Sequence, residues 1–131
     1  MKLFLDDFRM PIDAVKYMHQ RIGSLNPIYL EEWEIAKNYT QFVEWVKYAY
    51  QTGTEITHVS FDHDLADEHY APETWQKGGE YKYKEKTGVD CAKFLKEVYD
   101  KQGLKLPIIF IHSMNPVGTE NIKNVFIEQL H

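Results

Sequence analysis

The sequence predicts an α/β domain built on an open parallel sheet of about four strands, in the order 2-1-3-4, flanked by helices. Three observations predict it. Short apolar runs alternate along the chain with segments of helical periodicity. The runs are rich in β-branched and aromatic residues and bounded by polar ones, as strands buried on both faces of a parallel sheet are. Three of them end in carboxylates or imidazoles, which an open sheet of this kind gathers along its carboxyl edge.

The first run, KLFL at 2–5, stops at Asp6 and Asp7. WEIAKNY at 33–39 is a weaker run, with Trp33, Ile35 and Tyr39 alternating with polar neighbours, and reads as an edge strand. A helix is expected next, capped by Thr40, because Phe42, Trp45, Val46 and Ala49 recur at helical spacing. THVSF at 57–61 is the third strand. The second helix begins near Thr87, where Asp90 completes a capping box; its stripe is Cys91, Phe94, Leu95 and Val98, and Gly103 stops it. LPIIFI at 106–111 is the fourth strand, and after NPVGTEN a third helix places Ile122, Val125, Phe126 and Leu130 on one side. The stretches 12–30 and 66–86 are longer and less regular than this plan requires. Residues 1–131 are accordingly expected to form one domain with an inserted loop near 66–86.

A hydrophobic fraction of 44% and an aromatic fraction of 15% indicate a packed core rather than disorder. The one cysteine, Cys91, has no internal disulfide partner, and no cysteine-rich metal spacing occurs. No early stretch has the pattern of a secretory signal, and no apolar run reaches spanning length, so a cytoplasmic setting away from membranes is expected. The formal net charge of −5 offers no binding surface for duplex nucleic acid, which confines any phosphate ligand to a local site or a metal.

In the order 2-1-3-4 the first and third strands are neighbours and the fourth lies beside the third. Asp6 and Asp7, then Asp62, His63 and Asp64, then His112 and Ser113 would therefore meet at one edge. A single acid after a strand is a polar cap; three strand ends agreeing in kind indicate a site. Crowded carboxylates repel unless a cation sits among them, and their hard oxygens suit Mg²⁺ or Mn²⁺ better than zinc. Asp6, Asp7, Asp62 and Asp64 are the candidate ligands, with the choice between Asp62 and Asp64 open. His63 and His112 form a candidate acid–base pair. Arg9 is placed to recognise a phosphate or to make a surface salt bridge. Ser113 and Asn115, with Pro116 and Gly118 before a helix, read as an anion cradle or a plain helix start. In 66–86, Tyr70, Trp75, Tyr81 and Tyr83 offer stacking faces, Lys77, Lys82, Lys84 and Lys86 offer phosphate partners, and Gly78-Gly79 offers a hinge.

Asp6 and Asp7, Asp62 and Ser113 resemble the acidic pair, acceptor Asp and Ser/Thr of response-regulator receiver domains. LFLDDFRMP, FDHDL, TGVDCAKFL and IHSMNPVGTENI together resemble the diverged cyclic-phosphate processing receiver domain, over nearly the whole chain. The resemblance implies a receiver or flavodoxin-like fold and a metal-dependent domain acting on cyclic phosphates in RNA repair or nucleotide processing. About 20 residues remain after the fourth strand, enough for the last helix but not for a receiver's fifth strand and its Lys. Phosphorelay signalling is therefore not expected. The expected function is a Mg²⁺- or Mn²⁺-dependent phosphoesterase that opens a cyclic nucleotide or an RNA 2′,3′-cyclic phosphate end. Asp6, Asp7 and Asp62 would hold the metal, His63 and His112 would move protons, and Arg9, Ser113 and Asn115 would hold the anion. A phospho-Asp62 intermediate is less favoured without the Lys. The alternative is a non-catalytic receiver-like module that binds a nucleotide or a protein partner.

Overall fold

The computed structural model describes residues 1–15, 27–65 and 86–127. Those residues form β1 (Lys2–Leu5), a 3₁₀ turn (Pro27–Leu30), β2 (Glu34–Ala36), α1 (Tyr39–Thr52), β3 (His58–Phe61), α2 (Gly88–Gln102), β4 (Ile108–Ile111) and α3 (Pro116–Ile127), with 11–15 also helical. The strands make one parallel sheet in the predicted order, β2-β1-β3-β4.

β1 is a central strand, and Leu3, Phe4 and Leu5 are each fully buried. Because side chains alternate along a strand, Leu3 and Leu5 join Val59 and Phe61 in one core, closed by Phe42 and Val46 of α1, Cys91 and Leu95 of α2, and Ile122 of α3. Phe4 faces the other way and packs with Ala14, Val15 and Tyr29 from the connector that links β1 to β2. The described residues of the first connector and the three labelled helices thus cover opposite faces.

The ends of the elements follow from local chemistry. β2 is shorter than the predicted 33–39, because Asn38 turns the chain into α1: its side chain accepts the Gln41 N–H, and Gln41 Oε1 accepts the Lys37 N–H, both at 2.9 Å. Asn38, not Thr40, is therefore the cap. Trp45 Nε1 donates to the Ile35 carbonyl at 3.0 Å, so an indole covers this outer edge. α2 starts as expected: the Thr87 hydroxyl accepts the Val89 N–H and Asp90 accepts the Thr87 N–H. It ends at Gly103, whose φ of 64° is accessible to glycine at little cost. α3 begins at Pro116 rather than after NPVGTEN. Pro116 needs no N–H partner at the first helical position, and Asn115 Oδ1 accepts the Gly118 N–H at 3.0 Å.

Candidate metal and phosphate site

The backbone ladder runs one residue past each strand. Asp6 N–H donates to Ala36 O, Asp62 N–H to Leu5 O and His112 N–H to Phe61 O, each at 3.0 Å. The three site residues are thereby fixed at the main chain, at the carboxyl edge where β1 has β2 on one side and β3 on the other. Asp6, Asp7 and Asp62 each present an oxygen within 4.8 Å of the others, with Asp6 and Asp62 buried and Asp7 half-buried.

Asp6 is saturated. Its Oδ1 accepts the Phe8 and Arg9 N–H groups at 3.1 and 2.9 Å; its Oδ2 accepts Arg9 Nε at 2.9 Å and His112 Nε2 at 3.0 Å. Those four bonds use its acceptor capacity. Burial alone would raise its pKa, but the His112 hydrogen bond, the Arg9 N–H and the nearby charges hold it below the ordinary carboxylate value. Asp62 is the opposite case. One oxygen accepts the His63 N–H at 2.9 Å and lies 3.2 Å from Arg9 Nη2, while buried Oδ2 has no hydrogen-bond partner among the described residues. Burial and the neighbouring Asp6 push its pKa up to about 8, with Arg9 offsetting only part of this. A single guanidinium shared between two carboxylates serves Asp6 more closely, so Asp62 carries the unmet demand for a cation. Oxygen donors in a buried cluster with one unsatisfied atom fit a hard divalent ion.

Asp64 does not join that cluster. Its Oδ1 lies 2.8 Å from His63 Nδ1 and 3.3 Å from Asn115 Nδ2. The chain leaves the strand at Phe61: Ser60 and Asp62 keep strand alternation, whereas the bend at His63 carries Asp64 toward α3. Arg9 is an internal ion-pair partner of Asp6 and Asp62, with its side chain 13% exposed, rather than a surface salt bridge. Ser113 Oγ accepts the Asn115 N–H, and Asn115 Oδ1 takes the Gly118 N–H that the sequence offered to an anion. Lys86 Nζ lies over the Tyr39 ring at 5.4 Å. Tyr70, Trp75, Tyr81, Tyr83, Lys77, Lys82, Lys84, Gly78-Gly79 and Leu130 lie outside the described residues.

The two histidines diverge. His63 packs against α3 with Asp64 and Asn115. His112 stacks on Phe4 at 4.3 Å and bonds Ser60 Oγ through Nδ1 at 2.7 Å and Asp6 through Nε2. Both ring nitrogens of His112 are thus engaged within the protein. Burial lowers its pKa more than Asp6 raises it, so its contact with Asp6 is a hydrogen bond from a neutral ring. Tyr29 and Ser60, which complete this side of the site, carry no signal in the sequence beyond a lone hydroxyl inside an apolar strand.

Two glycines let the helices close on the site. A Cβ at Gly88 would overlap the Asp62 carbonyl oxygen, and one at Gly118 would overlap the His63 ring. Gly118→Ala is expected to destabilise the fold by about 1–3 kcal/mol through overpacking and to lower any turnover by moving His63 away from Asp64. Denaturant melts and rate measurements check both; an unchanged protein would show that the ring has room to move.

Fold and site together define a receiver-like α/β domain with an acidic cluster at the carboxyl edge of its sheet. The family model of the cyclic-phosphate processing receiver domain matches residues 1–128, and the chain belongs to that family. No significant match was found among curated proteins or solved structures. No helix among the described residues is long and apolar enough to cross a membrane.

Proposed function

We propose that this domain is a Mg²⁺- or Mn²⁺-dependent phosphoesterase that opens cyclic phosphates, either an RNA 2′,3′-cyclic phosphate end or a cyclic nucleotide. The observation that carries the reading is the buried, unsatisfied Asp62 Oδ2 beside Asp6 and Asp7. Those three residues would hold the ion, which when bound polarises a phosphoryl oxygen and lowers the pKa of water.

The chain's own groups supply the rest. His63 moves the proton: the Asp64 carboxylate accepts from Nδ1–H and so sets Nε2 as the basic nitrogen. Asp64 is thus assigned to orienting His63 rather than to the metal. Asn115 steadies Asp64 through Nδ2 while capping α3 through Oδ1. His112, with both nitrogens occupied, is assigned to positioning Asp6 and not to proton transfer.

Arg9 links the metal to the phosphate. For Asp6 to hold an ion, one of its four hydrogen bonds would have to give way, and the Arg9 side chain is the partner that is neither main chain nor fully buried. Released from that bond, its guanidinium would be available to the anion, where its planar fork suits phosphate oxygens. Ser113, at the end of β4, is the second contact for the anion. Incubating the protein with a panel of cyclic phosphates, with and without Mg²⁺ or Mn²⁺, tests the proposal: metal-dependent appearance of a monoester supports it, and saturable binding without product assigns the domain to the binding class.

A further inference from the structure

Four buried groups form a continuous hydrogen-bonded line from the first connector to Asp6. Tyr29 Oη lies 2.8 Å from Ser60 Oγ, Ser60 Oγ lies 2.7 Å from His112 Nδ1, and His112 Nε2 lies 3.0 Å from Asp6 Oδ2. Tyr29, Ser60, His112 and Asp6 are 3%, 0%, 1% and 1% exposed, so water is not at hand to replace a lost partner. The rings are held as well. His112 stacks face to face on Phe4, and Tyr29 meets both Phe4 and His112 edge-on.

The direction of each bond follows from the Asp6 end. A carboxylate only accepts, so His112 Nε2 carries the hydrogen there. In a neutral, fully buried ring Nδ1 is then an acceptor, and the Ser60 hydroxyl donates to it. The Ser60 oxygen is left to accept, and the Tyr29 hydroxyl donates to it. Each donor has one acceptor, and reversing any bond leaves a buried group unmatched.

We propose that Tyr29 and Ser60 are positioning residues for the metal-binding carboxylate Asp6, acting through His112. The inference rests on the metal reading above and extends it to two residues remote from the ion. Its physical content is preorganisation: the line holds Asp6 Oδ2 in place and sets the His112 tautomer before an ion arrives. Groups of this kind around a ligand typically cost 10- to 100-fold in metal affinity when removed. The line also ties the site to the 3₁₀ turn Pro27–Leu30, a segment on the sheet face opposite α1, α2 and α3.

The test is calorimetric titration of the full chain with Mn²⁺, alongside thermal melts of the metal-free protein. Ser60→Ala is expected to weaken Mn²⁺ binding about 10-fold or more. Tyr29→Phe, one bond farther away and with the ring retained, is expected to weaken it less, by about 3-fold, since the effect fades along the line. If both variants bind Mn²⁺ as wild type does, and only their melting midpoints fall, the residues are structural and the proposal is overturned. Should Ser60→Ala fail to fold, Tyr29→Phe carries the same comparison alone. A wild-type protein that takes up no Mn²⁺ overturns the metal reading itself, a result distinct from the first.

Discussion

Asp62→Asn is expected to abolish Mg²⁺ and Mn²⁺ binding while making the metal-free protein more stable than wild type at pH 8. The loss of binding follows from removing the one buried carboxylate oxygen in the cluster that lacks a hydrogen-bond partner among the described residues. The gain in stability follows from linkage. Asp62 has a folded-state pKa raised to about 8, against an ordinary carboxylate value of 3.8. A group raised in this way contributes stability that is fully present below the unfolded value and is lost as pH rises through the folded one. Across about pH 5 to 8 wild type should therefore lose about 1.4 kcal/mol per pH unit relative to the Asn variant. Asp6, whose pKa is lowered, works in the opposite sense and loses its contribution only in acid. At about pH 4 and below the two proteins should be close, because Asp62 is then protonated in the unfolded chain as well as in the fold and Asn is a neutral isostere. Denaturant melts across this range in a chelator check the slope. A difference that does not grow with pH would show that Asp62 is already ionised without metal, held so by Arg9.

His63→Ala is expected to lower turnover of a cyclic phosphate by about 10²- to 10⁴-fold while leaving Mn²⁺ affinity nearly unchanged. The ring touches Asp64, Asn115 and the backbone of α3, and its side chain is outside the acidic cluster. His112→Ala should do the reverse at the metal. It removes a hydrogen bond from Asp6 and a stacked ring from Phe4, so Mn²⁺ binding and stability fall along with any activity. Equal effects of the two substitutions on metal affinity would refute the division of roles drawn from their separate partners.

Much of this fold is legible in the sequence because buried strands announce themselves. KLFL has little choice but a two-sided core, since Leu3 and Leu5 face the helices and Phe4 faces the connector. Thr87, Asp90 and Gly103 mark α2 because capping and left-handed stops depend on a few residues at set spacings. β2 is harder to bound, because an edge strand buries little and its pattern runs into the next element. The Asn38 and Gln41 spacing held the missing information: a cap with a Gln three residues on.

The site divides in the same way. The acids were legible as strand ends, and alternation from Phe4 to Asp6 and from Ser60 to Asp62 explains why Asp6 and Asp62 face one another. What alternation cannot show is the bend at His63, which takes Asp64 out of the cluster. Both imidazoles follow a strand, yet one packs on α3 and the other on the opposite sheet face, where alternation from Phe61 to His63 and from Phe110 to His112 places them. Tyr29 sits in a connector without periodicity, so only the structure brings it to Ser60. Ser60 itself was the available clue, because a hydroxyl buried inside an apolar strand has to find a partner.

We propose that the cluster of Asp6, Asp7 and Asp62 holds a divalent ion that serves cyclic-phosphate opening. The most direct measurement is ³¹P NMR of a 2′,3′-cyclic nucleotide and of a cyclic mononucleotide incubated with the protein, first in chelator and then with Mn²⁺ replaced by diamagnetic Mg²⁺. The expected result is conversion of a cyclic phosphate resonance to that of a monoester with Mg²⁺ present, none in chelator, and none with Asp62→Asn. The contradicting result is a ligand that binds saturably while its resonance stays that of the cyclic ester, or conversion at the same rate in chelator.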